Sequence, residues 1–548
     1  MFSSILKVCG IILLIWGCSS QKKISSLDSK IEGQLRTHIN YLADDKLEGR
    51  RTGTAGEQLA VEYITTQFKE IGLVPKGTEY YTQSFVVNDG KKIDSVTTLS
   101  IDGVNYKPDE DFFPFPYSPD ISIEALPSID VQEAEMPWFV DINDILEENK
   151  SNPHFDLPGY IRKNAEKARD RGASAVILYN SSATDDKLMF DPKDRSESLS
   201  IPVLYVKKSV SDNLLKDKSA TVNLKMRVGV GQRNRLGYNV IGFIDNKVAN
   251  TVVLGAHFDH LGYGEDGNSM IRNGQPSIHN GADDNASGTA SLIELARQLN
   301  AGPKGNNYLF IAFSGEELGL YGSKYFTENP TIDLKSINYM INMDMVGRLN
   351  DSSKTLTVGG FGTSPVWSGI IGKSSNAPLN IKIDSSGTGP SDHTSFYRKD
   401  IPVLFYFTGL HSDYHKPSDD SEKINYKGTV SIIDNIYSVI KAVDKHGKLA
   451  FTKTREAQTS TSARFSVSLG IMPDYTYSGA GVRADGVSEG RAAQKAGIKQ
   501  GDIVVQLGEY TISSMETYMQ ALSKFKKGDK TIVKFKRGEQ VLEANVEF

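Results

Sequence analysis

The sequence has few cysteines, little net charge and few long apolar runs, and each shortage excludes a class of protein. Its 2 cysteines, Cys9 and Cys18, both lie at the N-terminus, so the rest of the chain has no disulfide framework. The net charge is only -5, and the sequence has no cluster of basic residues of the kind that binds nucleic acid. After the N-terminus no apolar run is long enough to predict a membrane span. Hydrophobic cores must therefore hold the protein together, and a chain of 548 residues predicts about two to four domains.

The N-terminus has the features of an export signal. The stretch "MFSSILKVCGIILLIWGCSSQKK" combines Lys7, an apolar segment of signal-peptide length and small residues around Cys18. It resembles a bacterial lipoprotein signal with "IWGC" as its lipobox. This resemblance implies a signal peptide over 1–17 and a lipid anchor at Cys18, which would tether the protein to the membrane of the bacterial cell envelope, facing the periplasm. A plain secretory signal or a short anchor is the alternative.

Strands and helices alternate in the middle of the chain. The segment 56–75 predicts a helix that stops at Gly72, and "NASGTASLIELARQLN" predicts one capped near Asn285. Apolar runs separate the helices: "NVIGFID", "NTVVLGA", "YLFIAF", "NYMINM" and "IPVLFYF". Because these runs are apolar enough to be buried on both sides, they predict an α/β fold with a mostly parallel sheet and helices on both faces.

Ligand-type side chains follow four of these strands and precede one helix. They are His257, Asp259, Glu316, Glu317, Asp344, His411 and His415 after strands, and Asp283 and Asp284 before the helix. In an open α/β sheet the site lies beyond the carboxyl ends of the strands, so we expect these groups to converge. Two histidines with several carboxylates suit zinc, and the number of carboxylates favours two ions that share a bridging acid. Magnesium or manganese is the alternative.

Five motifs in order resemble those of one enzyme family. The segments "GAHFDH", "NGADDNASG", "SGEELGLYGS", "INMDMVG" and "DYHKPSD" resemble the di-zinc exopeptidase family of bacterial leucyl aminopeptidases and glutamate carboxypeptidase. The resemblance covers roughly 30–88 and 233–448. It implies the zinc exopeptidase fold, peptide substrates and two zinc ions per chain. By this resemblance His257 and Asp344 hold one ion, Glu317 and His415 hold the other, and Asp284 bridges them.

The same resemblance implies three catalytic residues. Glu316 would be the general base that acts on a zinc-bound water, Asp259 would orient His257, and Tyr414 would steady the oxyanion. A general base must reach the water without itself binding the metal. The side chains of Glu316 and Glu317 must therefore point in different directions, although they are neighbours in the sequence.

Four further polar residues lie near these motifs. We interpret His260 and His279 as part of a loop near the cleft, with metal ligation as the alternative. Asp392 and His393 are interpreted as residues of the substrate pocket or as supports for the metal ligands.

Two accessory domains are expected. Residues 89–232 resemble a protease-associated domain through "AEKARDRGASAVILYN" and "IPVLYVKK", and residues 464–548 resemble a PDZ domain through "AAQKAGIKQGDIVVQLGEYTI". A PDZ groove would bind a peptide or a protein C-terminus by β-augmentation. The predicted order is a signal peptide (1–17), a peptidase domain (18–88 and 233–448) interrupted by the protease-associated domain, a linker (449–463) and the PDZ domain.

The predicted function is that of a membrane-tethered zinc aminopeptidase. The pocket segments "GYGEDGN", "SSGTGPSDHTSF" and "TGLHSDY" are rich in Glu, Asp, Ser and Gly, while Arg272 and Arg348 lie outside them, which favours recognition of a substrate ammonium. The alternatives are a carboxypeptidase of the same fold, a glutaminyl-cyclase-like activity, and a catalytically inactive peptide-binding lipoprotein. The intact set of ligand-type residues argues against the inactive protein.

Overall fold

The structure is a computed structural model that describes residues 28–150, 155–194, 196–214, 217, 219–271, 275–372, 379–454, 467–474, 477, 479–487, 490–526 and 528–548. The predicted signal peptide, Cys18 and most of the predicted linker lie outside these residues. The described residues of Met1–Val87 and Arg235–Ser460 form one compact unit, and those of Asn88–Asn234 and Thr461–Phe548 form another. The assignment of 89–232 to a protease-associated domain stays a prediction.

The first unit is built on a sheet of nine strands. In chain order they are β1 (Val74–Pro75), β2 (Thr82–Ile93), β3 (Val230–Ile244), β4 (Thr251–His257), β5 (Asn307–Phe313), β6 (Ile337–Met343), β7 (Thr355–Gly359), β8 (Asn380–Ile383) and β9 (Val403–Phe407). Their order across the sheet is β1-β3-β5-β4-β6-β9-β7-β8, with β2 paired to β3. The central strands β5, β4, β6 and β9 are parallel, whereas β1, β3 and β7 pair antiparallel with their inner neighbours. The α/β prediction is confirmed, and the sheet is mixed.

Three of the strands that could be predicted from the sequence are buried along their whole length. Every residue of β4, β5 and β6 is buried, as expected for parallel strands covered on both faces. The strands β7 and β8 include partly exposed positions and polar side chains, so their apolar pattern is weak. The sequence did not predict these two strands.

Helices cover both faces of this sheet. They are α1 (28–42), α2 (Ala55–Ile71), α3 (Gly288–Asn300), α4 (Tyr321–Glu328), α5 (Trp367–Ile370), α6 (His393–Tyr397) and α7 (Tyr426–Val443), with short helical turns at Asp45–Arg50, Ala282–Ser287, Leu334–Ser336, Phe361–Thr363 and Ser421–Lys423. The helix α2 ends at Gly72, whose φ of 87° is typical of a helix-terminating glycine.

Alternate residues of the central strands belong to two separate cores. Leu254 and Phe310 share one core with α2, α3 and α7, whereas Val253 and Leu309 share the other with α4 and α6. Within the described residues, no helix combines the length and apolar character needed to cross a membrane.

The second unit contains the insertion and the C-terminal domain. The insertion has two four-stranded sheets that share one hydrophobic core. Its strands are Thr98–Ile101, Val104–Tyr106, Phe112–Pro114, Ile121–Ala125, Pro137–Asp141, Ala175–Tyr179, Val203–Val206 and Leu224–Val228, and its helices are Asn143–Asn149, Leu157–Asp170 and Lys208–Leu214.

The C-terminal domain is β-rich and has its own core. Its six-stranded sheet contains Ile471–Pro473, Val482–Val487, Ile503–Leu507, Tyr510–Thr511, Lys530–Arg537 and Gln540–Glu547, with helices Ala492–Lys495 and Met515–Leu522. The second helix begins after Ser514, whose hydroxyl accepts a hydrogen bond from the backbone N–H of Thr517.

Candidate metal centre

The carboxyl ends of the four central parallel strands carry the predicted ligands. His257 is the last residue of β4, Asp344 directly follows β6, and the loop after β9 carries His415. Glu317 lies in the turn after β5, and Asp284 lies in the turn Ala282–Ser287 before α3. Chain connectivity in a parallel sheet thus brings five distant residues to one edge.

Asp284 lies between two imidazole rings. Its Oδ1 is 3.4 Å from Nε2 of His257, and its Oδ2 is 3.3 Å from Nε2 of His415. Asp344 Oδ1 is also 3.4 Å from Nε2 of His257, and Glu317 Oε2 is 3.2 Å from Nε2 of His415. The geometry therefore forms two ligand groups that flank a single carboxylate with one oxygen directed at each.

Buried negative charge concentrates at this place. Burial raises the pKa of Asp344, and burial with its acidic neighbours Asp344 and Glu317 raises the pKa of Glu316 well above its usual value. Burial alone would lower the pKa of His415, yet Glu317 and Asp284 raise it to about 11. Bound cations would relieve this crowding, and a mixture of imidazole nitrogens and carboxylate oxygens fits zinc.

Glu316 and Glu317 diverge from one turn. Their backbone N–H groups both donate to the carboxylate of Asp259, over 3.2 and 3.4 Å. Glu317 then points towards His415, whereas Glu316 Oε2 lies 4.0 Å from Nε2 of His257, farther than either Asp284 or Asp344. The ligand atoms of His257, Glu316 and Asp344 nevertheless lie within 4.8 Å of one another, so geometry alone also allows Glu316 to bind an ion.

The region that carries these residues matches a known family. Residues 239–440, which contain all five predicted ligands, match the family model described as Peptidase family M28. We call this matched region, residues 239–440, the M28 domain. Residues 467–548 match the PDZ domain model, which confirms the predicted C-terminal domain.

Several curated relatives are aminopeptidases by name. Aminopeptidase YwaD of Bacillus subtilis (strain 168) is 29% identical over 57% of this chain and 65% of its own length, so the chain spans just under two thirds of that relative. The probable lipoprotein aminopeptidase LpqL of Mycobacterium tuberculosis is 26% identical over 71% of this chain and 75% of its own. Among solved structures, BSAP, a zinc aminopeptidase from Bacillus subtilis, covers 76% of this chain and 95% of its own at 21% identity, with a TM-score of 0.43.

Asp259 supports the M28 site differently from the expectation. Its Oδ1 is 3.6 Å from Nδ1 of His257, which is longer than a hydrogen bond, while its backbone carbonyl is 3.2 Å from the same nitrogen. The carboxylate instead accepts the two N–H groups of the Glu316–Glu317 turn and the hydroxyl of Thr52 at 3.1 Å. The backbone carbonyl of Asp259 thus faces His257 while its side chain holds the acidic turn, and its role in orienting His257 stays a prediction.

Tyr414 stacks on a predicted ligand of the M28 domain. Its ring centroid is 3.9 Å from that of His415. Burial raises the pKa of its phenol, and Asp284, Glu317, Glu316 and Asp344 raise it further. The phenol thus stays protonated beside the acids, as a hydrogen-bond donor to an oxyanion must, and that role stays a prediction.

Three other histidines singled out from the sequence contact groups other than the predicted metal ligands. His279 is bound within its own loop, 2.8 Å from Ser269 Oγ, and His411 Nε2 is 3.1 Å from Asp283 Oδ2, so both have partners other than the predicted ligands. His393 stacks on Phe405, and burial lowers its pKa to about 3.

Asp392 is completely buried near the ligands. Burial raises its pKa to about 7, with Asp259 and Asp344 adding to the rise and His257 opposing it. Both roles that we interpreted from the sequence for Asp392 stay predictions.

Two residues that contact the predicted ligands, Ser391 and Asp419, escaped the sequence analysis, and a third, His260, was interpreted there as part of a loop; its grouping with Asp284 and Glu317 also permits metal ligation, the alternative given there. Ser391 donates its hydroxyl to Asp344 Oδ2 at 2.8 Å, and Asp419 accepts the backbone N–H of Asp284 at 3.0 Å. His260 Nδ1 is 2.7 Å from Glu317 Oε1. The sequence signal for His260 was its place in "GAHFDH", where it follows Asp259 directly and leaves the same strand end as His257.

Arg50 joins the N-terminal segment of the first unit to the backbone behind this site. The guanidinium is completely buried and donates to the backbone carbonyls of Leu42, Phe258, Asn280 and Gly281. Burial lowers its pKa to about 10. The segments that lead to His257 and Asp284 are therefore joined through one side chain from this N-terminal segment.

Proposed function

We propose that the chain is a zinc metallopeptidase that removes N-terminal residues from peptides at a two-ion centre. The observation that carries this proposal is the position of Asp284, whose two oxygens each face a different ligand group. His257 and Asp344 would hold one ion, His415 and Glu317 the other. When bound, zinc supplies a Lewis acid that polarises the scissile carbonyl and lowers the pKa of water.

We propose that Glu316 is the residue that transfers protons during peptide hydrolysis. It lies at the centre beside His257, and the N–H···Asp259 hydrogen bond of its own backbone fixes the turn that carries it. Its raised pKa favours a group that accepts a proton from the attacking water and donates it to the leaving amine. Tyr414 would donate a hydrogen bond to the developing oxyanion.

The choice between the two ends of a peptide cannot rest on the acids of the pocket segments. Asp266 of "GYGEDGN" accepts two hydrogen bonds from Arg51, at 2.7 and 2.8 Å, and Asp413 of "TGLHSDY" accepts one from Arg348 at 3.1 Å and one from Lys423 at 2.9 Å. These acids are internally paired, which removes them as ammonium ligands. Arg348 donates through Nη2 to Asp413, so part of its guanidinium is already paired within the protein.

N-terminal cleavage is supported by two other observations. The carboxylates that converge on the centre would attract a substrate ammonium. Both curated relatives described above carry the name aminopeptidase. Arg272, the second arginine near the motifs, lies outside the described residues.

Acetylation of the peptide N-terminus is expected to abolish hydrolysis, because it removes the ammonium that the acids would bind. A peptide panel in free, N-acetylated and C-amidated forms, assayed by mass spectrometry, measures this effect. C-terminal amidation is the matched control and should change the rate little, while a chelator should stop all cleavage. Loss of cleavage on amidation but not on acetylation would identify a carboxypeptidase instead.

We propose that Cys18 anchors the protein to the membrane of the bacterial envelope. The support is the lipobox-like sequence and the relative named a probable lipoprotein aminopeptidase. Cys18→Ala should give an unacylated chain that fractionates with soluble protein, whereas Cys9→Ala should leave acylation intact. Mass spectrometry of the mature N-terminus and membrane fractionation measure this. An unmodified Cys18 in the mature wild-type protein would contradict the anchor.

The PDZ domain is proposed to bind an extended peptide or a protein C-terminus. Its strand Ile471–Pro473 and helix Met515–Leu522 are the elements that would line the groove, and Gly470, with a φ of 85°, precedes that strand. An added strand would pair with the backbone, in the usual manner of peptide augmentation.

A further inference from the structure

His260 is a buried histidine in direct contact with a predicted metal ligand. Its side chain has 0% exposure, and its Nδ1 is 2.7 Å from Oε1 of Glu317. The other oxygen of the same carboxylate, Oε2, is 3.2 Å from Nε2 of His415. A carboxylate accepts hydrogen bonds and cannot donate when ionised, so the shared proton belongs to Nδ1 of His260.

The ring of His260 has little freedom to move. A Cβ atom at Gly281 would lie 2.5 Å from Cδ2 and 2.6 Å from Cγ of this ring, so only glycine fits there. Gly281 also has a positive φ of 54°, and its carbonyl accepts a hydrogen bond from Arg50 at 3.0 Å. The backbone on one side and Glu317 on the other thus fix the direction of the Nδ1–H bond.

We propose that His260 is a positioning residue that holds Glu317 so that its Oε2 faces the metal. This proposal rests on the two-ion centre proposed above. A carboxylate can bind an ion through one oxygen or both, or can rotate away. A buried donor fixed on Oε1 occupies one lone pair of that oxygen and holds the carboxylate so that Oε2 faces the ion that Glu317 would share with His415. Partners of this kind typically change metal affinity by about 10–100-fold.

Two substitutions separate the hydrogen bond from the shape of the ring. His260→Asn keeps an N–H close to the position of Nδ1, whereas His260→Leu removes the donor and keeps a side chain of similar size. We expect the leucine variant to bind one of the two ions about 10–100-fold more weakly and the asparagine variant to stay within a few-fold of wild type. Zinc affinity measured by competition with a chromophoric chelator, and ion content by elemental analysis, provide readouts independent of turnover.

The matched control is His38→Leu. His38 is 4% exposed and has a partner outside the metal centre, the hydroxyl of Tyr63 at 2.8 Å, so it tests the loss of a buried imidazole alone. Both ions should bind to this variant with wild-type affinity. If His260→Leu does not fold, His260→Gln takes its place, because its amide lies one bond farther from the backbone than Nδ1.

The outcomes distinguish this inference from the proposed function. Equal weakening in the asparagine and leucine variants would show that the imidazole itself binds metal, and unchanged affinity in the leucine variant would show that the hydrogen bond has no effect. Either result overturns the positioning role while wild type still binds two ions. A wild-type chain that binds a single ion would instead overturn the two-ion centre, and the inference with it.

Discussion

Replacing Glu316 by glutamine is expected to lower kcat by about two to four orders of magnitude while both zinc ions stay bound. Glutamine has nearly the same shape and can still occupy the turn that Asp259 holds through the backbone N–H groups. It cannot accept and return a proton, so the chemical step alone should fail. Steady-state kinetics with a peptide substrate, together with elemental analysis of the same sample, measure both parts of the expectation.

The matched control for this change is Glu328→Gln. Glu328 is an exposed residue at the end of α4, in the same domain, and its substitution should leave both kcat and ion content unchanged. If Glu316→Gln loses an ion, Glu316 is a ligand of the His257–Asp344 group, which the distances among the three side chains also permit. Substantial residual turnover would mean that another group moves the proton.

Removing the carboxylate of Asp284 should have the larger effect on metal binding. Its two oxygens lie 3.4 and 3.3 Å from the imidazoles of His257 and His415, so Asp284→Ala deletes a ligand from both groups at once. We expect both ions to be lost on dialysis and peptide hydrolysis to be undetectable. Because ligand binding stabilises the folded state, the variant should also show no rise in melting temperature when zinc is added.

Asp351→Ala is the control for this experiment. Asp351 is exposed and lies seven residues after Asp344 in the sequence, so its removal changes the net charge by the same amount without touching the centre. The Asp284→Ala variant should be compared with it at equal zinc concentrations. Retention of one tightly bound ion in Asp284→Ala would show that the carboxylate belongs to a single group and does not bridge.

Features that depend on local sequence patterns could be predicted from the sequence. The strands β4, β5 and β6 are apolar throughout, and a parallel sheet brings their carboxyl ends together, so the sequence alone assigns His257, Glu317 and Asp344 to one edge. Glu316 and Glu317 could likewise be expected to diverge. These inferences need only local patterns and one topological rule.

Contacts between distant residues could not be predicted in this way. The acidic composition of "GYGEDGN" favoured recognition of an ammonium, yet Asp266 of this segment is bound at both oxygens by Arg51, 215 residues away. The hydrogen bond between His260 and Glu317 depends on a ring angle that Gly281 permits. Nδ1 of His257 is 3.2 Å from the backbone carbonyl of Asp259 and 3.6 Å from its Oδ1, and a sequence cannot predict a difference of a few tenths of an ångström.

The buried guanidinium of Arg50 has a consequence for how this protein folds. Its hydrogen bonds to Phe258 and Gly281 span 208 and 231 residues. Closing a loop of that size costs only about 0.6 kcal/mol more than closing one half as long, so the native state tolerates the insertion at little thermodynamic cost. Contacts between such distant segments nevertheless form slowly. During synthesis, Arg50 leaves the ribosome long before Phe258, Asn280 and Gly281 exist, whereas the insertion is continuous in sequence and can form its two sheets first. We therefore expect assembly of the domain that carries the metal centre to limit the rate at which the whole chain folds.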